Sequence, residues 1–304
     1  MHLSLPATLF GVSSTAVAMC AAGVAVLLIG AFAARREIAE ARGLERIAAL
    51  GKLCFGIPLG VFGALHLFAV RLVVDIVPAY VPWRSFWAYA VGCALIVAAV
   101  SIVTGIGTRW SGLLFGIMMV LFVAMIHLPG ALGRPHDRIL WTIVFRELSF
   151  GGAGWMLAGS AMGGRRRGSG ALIAVGRALV TAALVVFGVE HFLHPRGLPG
   201  VPLQREMPAW VPGGVLIDFM TGAGLLAAAG SVLLEMKTRT VAAGLGAWIL
   251  LTLLAIYLPV MISALSEPGI AAQVEGINYL ADTLLFAGVV LALAKASPRA
   301  AAFE

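Results

Sequence analysis

The sequence predicts an all-α integral membrane protein of about nine transmembrane helices. Apolar residues make up 61% of the 304 residues and charged residues only 12%, whereas soluble domains carry about 25% charged residues. Long apolar runs recur along the chain, and most reach the roughly 20 residues that a helix needs to cross the hydrocarbon core. The net charge of +7 does not indicate nucleic-acid binding, because the charges lie in short loops between these runs.

The length criterion gives nine spans, at residues 8–34, 53–74, 86–106, 110–128, 139–162, 171–193, 214–234, 239–263 and 276–296. The first span has no basic residue before it and is followed by Arg35 and Arg36. A cleaved signal peptide has the reverse polarity, so we interpret this span as an uncleaved signal-anchor helix. The charged segment that follows it contains regularly spaced apolar residues, which predicts a short amphipathic helix on the membrane surface.

The distribution of basic residues predicts the orientation of the chain. Fourteen of the 21 Lys and Arg residues fall on one side of the predicted spans. The positive-inside rule places this side in the cytoplasm, with the N-terminus outside and the C-terminus inside. The three cysteines lie in or beside apolar runs, without a C-x-x-C motif. We therefore interpret them as small apolar packing residues rather than redox thiols.

A long stretch of the chain occurs twice. His66 and His191 are 125 residues apart, and the P-A-[YW]-V-P boxes at Pro78–Pro82 and Pro208–Pro212 are 130 residues apart. The offset of 130 continues to the Leu-Pro pairs at 128 and 258. We interpret this as an internal duplication. Each copy contains four predicted spans, an even number, so the repeats should be parallel and related by a pseudo-twofold axis near the membrane normal.

The predicted organisation has five parts. They are a signal-anchor helix with a cytoplasmic amphipathic linker (1–52), a first four-helix repeat (53–163), a cytoplasmic Arg-rich linker (164–170), a second four-helix repeat (171–297) and a cytoplasmic tail (298–304).

Ionisable residues inside the spans are the first candidates for a functional site, because such groups are costly in a membrane. Each repeat has a histidine at the outer end of its first helix and a carboxylate about seven residues inside its last helix. A histidine beside a carboxylate is a usable acid–base pair near neutral pH. The second copy adds an acid next to its histidine, where the first has Leu65, so we favour the second copy as the working half. The candidate catalytic residues are His191, His66, Glu190, Glu147 and Asp282.

The two proline boxes predict a lid over each histidine. Two prolines separated by three residues disfavour a regular helix, and the aromatic residues in and beside the boxes prefer the headgroup zone. A pocket below such a lid could admit a quinone, another lipid-like molecule or a small apolar substrate. The predicted lid and pocket residues are Trp210, Tyr80, Trp83, Arg146 and Asn278.

Structural explanations compete with each of these assignments. His66 and His191 could be interfacial anchors, Arg146 and Glu147 could neutralise charge between helices, and each proline box could be only a turn. His127 aligns with Tyr257, which favours an interfacial role. Asp218 follows a P-G-G turn, where the positive end of the helix dipole favours an anion.

The motifs, in this order and twice over, resemble the DoxX-like family of bacterial membrane proteins. The matching residues are G-x-x-H-F at Gly188–Phe192, P-x-W-x-P at Pro208–Pro212, Thr221-Gly222 and Leu258-Pro259, with a looser match in the first half. The resemblance covers roughly residues 53–162 and 171–296. Family members are typically single four-helix units, so this chain looks like a fused pair with an extra leading helix. The resemblance implies a multi-pass protein of the bacterial inner membrane, associated with a redox system.

Three hypotheses about function follow. In the first, the chain is a subunit or partner of a quinone-linked membrane oxidoreductase, with an outward-facing His/carboxylate pocket. In the second, it binds haem b between the two pseudo-equivalent histidines, or a metal ion at the outer histidines, although no ligand motif requires either. In the third, it is a non-catalytic assembly or lipid-binding scaffold. The lipid bilayer is the common partner in all three.

Overall fold

The computed structural model describes residues 8–9, 11–163 and 168–298. Within these ranges the chain is almost entirely helical, and eight helices are long and apolar enough to cross a membrane. The expectation of an all-α multi-pass membrane protein is therefore confirmed. The predicted fifth span also forms a helix of 25 residues, Arg138–Met162. It is not among the eight, and it carries Arg146 and Glu147 on a largely buried surface.

The elements follow one another with short connections. Two short strands, β1 (Thr8–Leu9) and β2 (Val12–Ser13), pair antiparallel before the first helix. The α-helices are α1 (Ser14–Glu40), α2 (Leu44–Ala49), α3 (Gly51–Phe68), α4 (Val70–Val74), α5 (Arg84–Thr104), α6 (Thr108–Phe122), α7 (Leu128–Gly133), α8 (Arg138–Met162), α9 (Ser169–Leu193), α10 (Gly214–Leu233), α11 (Thr238–Thr252), α12 (Leu258–Leu265) and α13 (Ile270–Ala296). Two π-helical turns, Val123–His127 and Leu253–Tyr257, interrupt the helices that contain them.

The N-terminal region differs in detail from the prediction. The first transmembrane helix begins at Ser14, where the Ser13 side chain accepts a hydrogen bond from the Ala16 amide, an N-cap that satisfies one of the free amides of the first turn. It also continues to Glu40, beyond its predicted end. Between it and α3 there is only the six-residue helix α2, and the apolar stretch long enough to cross a membrane includes α2, from Leu44 to Phe68. The Arg-rich linker lies largely outside the described residues, as does the tail.

The elements of the two halves repeat at the offset found in the sequence. α5 and α10 begin 130 residues apart, as do α6 and α11, the two π-helical turns, and α7 and α12. The proline boxes form the same turn, since the Val81 amide donates to the Pro78 carbonyl and the Val211 amide to the Pro208 carbonyl, both over 3.0 Å. The repetition therefore extends from the sequence to the backbone.

The helix packing repeats as well. α3 packs on α5 as α9 packs on α10, and α6 packs on α8 as α11 packs on α13. Between the halves, α8 packs on α9 as α13 packs on α3, and α8 also contacts α13. The extra helix α1 lies outside this pattern, against α3, α5 and α13.

Residue types and packing together give the correspondence between α8 and α13, since Phe150 and Gly152 match Phe286 and Gly288 at an offset of 136. A Cβ on Gly152 would lie 3.0 Å from Leu179, and a Cβ on Gly288 would lie 2.9 Å from Cys54. Leu179 and Cys54 are themselves 125 residues apart, the offset of the two histidines. The equivalence of Gly152 with Gly288 gives an offset of 136 between α8 and α13. At this offset Asp282 corresponds to Arg146 and not, as the sequence suggested, to Glu147.

Candidate functional site

Three charged side chains join α8 to α13 inside the bundle. The Arg146 guanidinium donates to Glu147 Oε1 through Nη2 over 2.7 Å and through Nε over 3.2 Å. It donates through Nη1 to Asp282 Oδ2 over 2.9 Å. Arg146 and Asp282 occupy equivalent positions of the two repeats, so this ion pair bridges the halves. Two carboxylates face one guanidinium, which leaves the triad with a formal charge of one negative when all three groups are ionised.

Arg146 and Asp282 of the triad line a cleft of about 340 Å³. The cleft lies at the end of the bundle that carries the loops of the two proline boxes, since residues of α4 and of the second loop line it. Its lining residues are Leu72, Ile143, Arg146, Leu203, Gln204, Ala271, Val274, Glu275, Asn278, Tyr279 and Asp282. The Asn278 Oδ1 atom is buried and has no hydrogen-bond partner among the described residues. The structure thus brings together four of the predicted residues, namely Arg146, Glu147, Asp282 and Asn278.

His191 lies elsewhere, in a sealed site. Its side chain is 0% exposed, and its Nδ1 atom lies 2.5 Å from Oδ1 of Asp218, which is equally buried. Its Nε2 atom lies 3.2 Å from both the amide nitrogen and the carbonyl oxygen of Gly200. Because a carboxylate accepts, Nδ1 donates to Asp218, and in the neutral ring Nε2 accepts from the Gly200 amide. Neither ring nitrogen of His191 is therefore open to a ligand.

A short buried segment closes the His191 site. Residues Leu198–Pro202, which we call the plug, are buried throughout, although they belong to the loop between α9 and α10. The flanking strands of the loop pair as a narrow hairpin through a bridge between Gly197 and Glu206. The Tyr257 hydroxyl donates to the Pro199 carbonyl over 2.7 Å, and Arg138 donates to the Pro202 carbonyl over the same distance. The plug is therefore held at its backbone by side chains of both halves.

Gly200 is the residue of the plug whose backbone requires glycine. Its φ is +112°, a region that residues with a Cβ atom rarely adopt. This conformation places both of its backbone polar groups against His191.

Glu190 is engaged beside the plug. Its carboxylate accepts from the Thr142 hydroxyl over 2.8 Å and from Arg138 over 3.2 Å. Glu190 thus ties α9 to α8 and does not line the cleft.

The first-half histidine and the predicted lids also lie away from the cleft. His66 Nδ1 hydrogen-bonds the Phe62 carbonyl of its own helix over 2.8 Å. Tyr80 donates to the Met125 carbonyl over 3.1 Å. The side chains of Trp83 and Trp210 are 79% and 57% exposed. They extend outward as interfacial aromatic residues do, and the plug covers His191 in place of the predicted aromatic lid.

Four features of the site were missed or assigned other roles from sequence. Asp218 is the partner of His191 and not only an anion at a helix start, and Tyr257 holds the plug. His127, on the first π-helical turn, interacts electrostatically with Glu147. The fourth feature is the plug itself. Its signal was present in the sequence, because the offset rises from 125 to 130 between the histidine and the proline box, which marks a five-residue insertion in the second copy.

The cleft is the counterpart of the space that the plug fills. The plug contacts Arg138 through a carbonyl, and its hairpin contacts Tyr279, whose hydroxyl accepts from the Arg205 amide over 3.2 Å. At the offset of 136, Arg138 corresponds to Val274 and Tyr279 corresponds to Ile143. Both counterparts line the cleft. Thr142, beside the plug, corresponds in the same way to Asn278.

The described residues offer no metal site of the usual kind. In the ranges given above, no three His, Cys, Asp or Glu residues cluster as metal ligands do. Haem ligation by His191 also does not fit the geometry, because both of its ring nitrogens are engaged.

Comparison of the chain with protein-family models, with curated proteins and with solved structures gives no match. The DoxX-like resemblance stays a prediction from the motifs.

Proposed function

We propose that this protein binds the headgroup of a quinone-type lipid in the cleft beside Arg146, as a subunit or partner of a membrane oxidoreductase. The observation that carries the proposal is the ion pair of Arg146 and Asp282 at the wall of a cleft of about 340 Å³, with Glu147 bonded to the same guanidinium. Charged groups inside a membrane bundle usually serve a function. A volume at the lower end of the range for ligand pockets suits a group of the size of one ring.

The composition of the cleft supports a headgroup that is apolar on its faces and polar at its edges. Leu72, Ile143 and Val274 supply apolar surface, and Asn278 and Asp282 supply polar atoms. Ligand pockets typically combine a mostly apolar lining with a few placed polar groups. In this proposal the carboxylate of Asp282, which lines the cleft, exchanges the two protons of the quinone/quinol couple in succession. The two electrons pass to or from a redox centre of the partner oxidoreductase.

A blocking substitution tests the proposal. Ile143→Trp adds bulk to the wall of the cleft, and Leu172→Trp adds the same side chain near the opposite end of the bundle, on α9. We expect purified wild-type protein in nanodiscs to bind a short-chain ubiquinone analogue, with the quinone and quinol forms titrated separately. Ile143→Trp should abolish this binding and Leu172→Trp should preserve it. Failure of the wild type to bind either form would contradict the proposal.

A second candidate function, a scaffold without a ligand, is favoured by one observation. The Arg146–Asp282 ion pair joins equivalent helices of the two halves. Such a pair can stabilise the packing of the two helices without binding any ligand. Retention of quinone-type binding in Ile143→Trp, or its absence in the wild type, would favour this scaffold.

A further inference from the structure

At the end of the bundle opposite the cleft, an arginine of the second half holds a carboxylate. Arg239, at the start of α11, donates to Glu45 of α2 through Nε over 2.6 Å and through Nη2 over 2.5 Å. It also donates through Nη1 to the Ser297 carbonyl, just after α13, over 3.4 Å. An anion with two oxygen atoms therefore occupies the space between α2, α11 and the end of α13.

The first half keeps this arginine and lacks the carboxylate. Arg109, at the start of α6, corresponds to Arg239 at the offset of 130, and it has no acidic partner among the described residues. The stretches Leu44–Phe68 and Ser169–Leu193 correspond at the offset of 125, which places Gly170 at the position of Glu45. In addition, α2 packs on α11, whereas α9 makes no comparable contact with α6 in the described ranges.

The surrounding sequence supplies no acid in place of Glu45. Asp and Glu are absent from residues 76–136 and 148–189, which include α6 and the connection from α8 to α9. The only charged residues in that connection are three arginines, at positions 165–167. Arg109 therefore lies in a stretch of positive charge, and a guanidinium binds best to an anion that presents two oxygen atoms.

Trp110 indicates the depth of Arg109 in the membrane. Trp110 is 56% exposed, and the guanidinium carbon of Arg109 lies 5.3 Å from the centroid of its ring. Exposed tryptophans of membrane proteins lie at the level of the lipid headgroups, which is where the phosphate groups of phospholipids lie. Phosphate oxygens match the paired N–H groups of arginine as carboxylate oxygens do.

We infer that Arg109 binds the phosphate group of an anionic phospholipid, in the position that the Glu45 carboxylate takes in the second half. The site lies beside the end of α8, because a Cβ on Gly112, one turn after Arg109, would lie 3.0 Å from the Ala158 amide nitrogen. The lipid would link α6, α8 and α9 as Glu45 links α2 to α11. This inference is independent of the function proposed for the cleft.

The test measures lipid binding to the purified full-length protein by native mass spectrometry. The probes are dioleoylphosphatidylglycerol, which is anionic, and dioleoylphosphatidylcholine, which has no net charge. We expect the wild type to bind the anionic lipid at least about fivefold more tightly, and Arg109→Gln to remove most of this preference. Lys237→Gln removes an exposed cation from the corresponding turn of the second half and should leave the preference unchanged.

A second pair of variants supplies the missing side chain. A Cβ on Gly170 would meet no atom of the described residues within 4 Å, so this position accepts a larger residue. Gly170→Glu introduces the counterpart of Glu45 and should lower the affinity for the anionic lipid by about fivefold. Gly170→Gln has the same shape without the charge and should leave the affinity unchanged. Thermal unfolding of all four variants checks that they fold.

Three outcomes would overturn the inference. The first is equal binding of the two lipids by the wild type, or an unchanged preference in Arg109→Gln. The second is an equal loss of preference in Arg109→Gln and Lys237→Gln, because general surface charge would then account for the binding. The third is displacement of the bound lipid by inorganic phosphate at constant ionic strength, which would identify free phosphate as the ligand.

Discussion

The two halves of the protein use the same space in opposite ways. In the second half, the plug fills the space beside the last helix and closes over His191. In the first half, the corresponding loop is five residues shorter, and the counterpart space forms part of the cleft beside Arg146. The residues beside the space also differ between the halves. The acids Asp218 and Glu190 of the second half correspond to the apolar residues Ala88 and Leu65 of the first.

This difference distinguishes two kinds of buried polar group. Most polar atoms around the plug are matched with partners inside the protein, as burial of polar groups requires, although Asp218 Oδ2 is buried without a partner among the described residues. At the cleft, Asp282 accepts from Arg146 through one oxygen only. The additional acid of the second copy, which made that copy seem the working half, thus serves to hold the plugged half together. The cleft lies beside the shorter first-half loop, although eight of its eleven lining residues belong to the second repeat.

The largest expected effect comes from the plug. Leu198→Ala should lower the free energy of unfolding by about 2–5 kcal/mol, because a fully buried leucine is truncated and a cavity remains. Leu198 is 1% exposed and contacts the cluster around Tyr257. Thermal unfolding in detergent, followed by tryptophan fluorescence, measures the change.

Leu72→Ala is the matched control. Leu72 lies on α4, within the shorter connection between α3 and α5 of the first half, and is 42% exposed. Its effect should stay within about 0.5 kcal/mol, as is usual for surface substitutions. Similar decreases in the free energy of unfolding for Leu198→Ala and Leu72→Ala would contradict the difference between the plugged second-half loop and the shorter first-half loop.

The fold was largely predictable because hydrocarbon thickness fixes the length of an apolar span. The predicted fifth span, for example, begins and ends within one residue of the helix Arg138–Met162. The N-terminal boundary was less accurate, because the apolar residues before Ser14 do not continue the helix. The offset of 136 between α8 and α13 is also present in the sequence, because Leu148, Phe150 and Gly152 match Leu284, Phe286 and Gly288.

The site was predictable as a set of residue types and not as an arrangement. Charged residues inside spans drew attention to Arg146 and Asp282, which the structure places in contact. The partner of His191 could not be identified, because Asp218 lies 27 residues away on another helix, and a helix start offers an anion a simpler explanation. The plug looked like an ordinary loop, although its Leu-Pro-Gly-Val-Pro sequence is apolar throughout.

A smaller effect is expected from Asp218→Ala, which gives the second half the residue of the first. The buried His191 Nδ1–H would lose its acceptor, at a cost of about 1–3 kcal/mol in the free energy of unfolding. The thermal unfolding assay described for the plug measures it. Asp75→Ala removes an exposed carboxylate in the first-half loop and should change stability by less than about 0.5 kcal/mol. Losses of equal size in the two variants would show that His191 does not depend on Asp218.

The smallest effect is expected from Glu190→Leu, which again introduces the first-half residue. Removal of one partner of a buried ion pair is costly when the other charge stays buried, but Arg138 is 30% exposed and can be solvated. Thr142 would keep its bond to the Arg138 carbonyl, and Arg138 would keep its bond to the Pro202 carbonyl. We therefore expect a loss below about 1 kcal/mol in the free energy of unfolding.

Arg138→Leu provides the asymmetric control, because it leaves the Glu190 carboxylate buried without its cation. Its loss should exceed that of Glu190→Leu, reaching about 1–3 kcal/mol. Both variants should bind quinol as the wild type does, since neither residue lines the cleft. If Glu190→Leu instead weakened quinol binding with little change in stability, the acid specific to the second copy would belong to the binding site. The separation between the plugged site of His191 and the cleft beside Arg146 would then have to be abandoned.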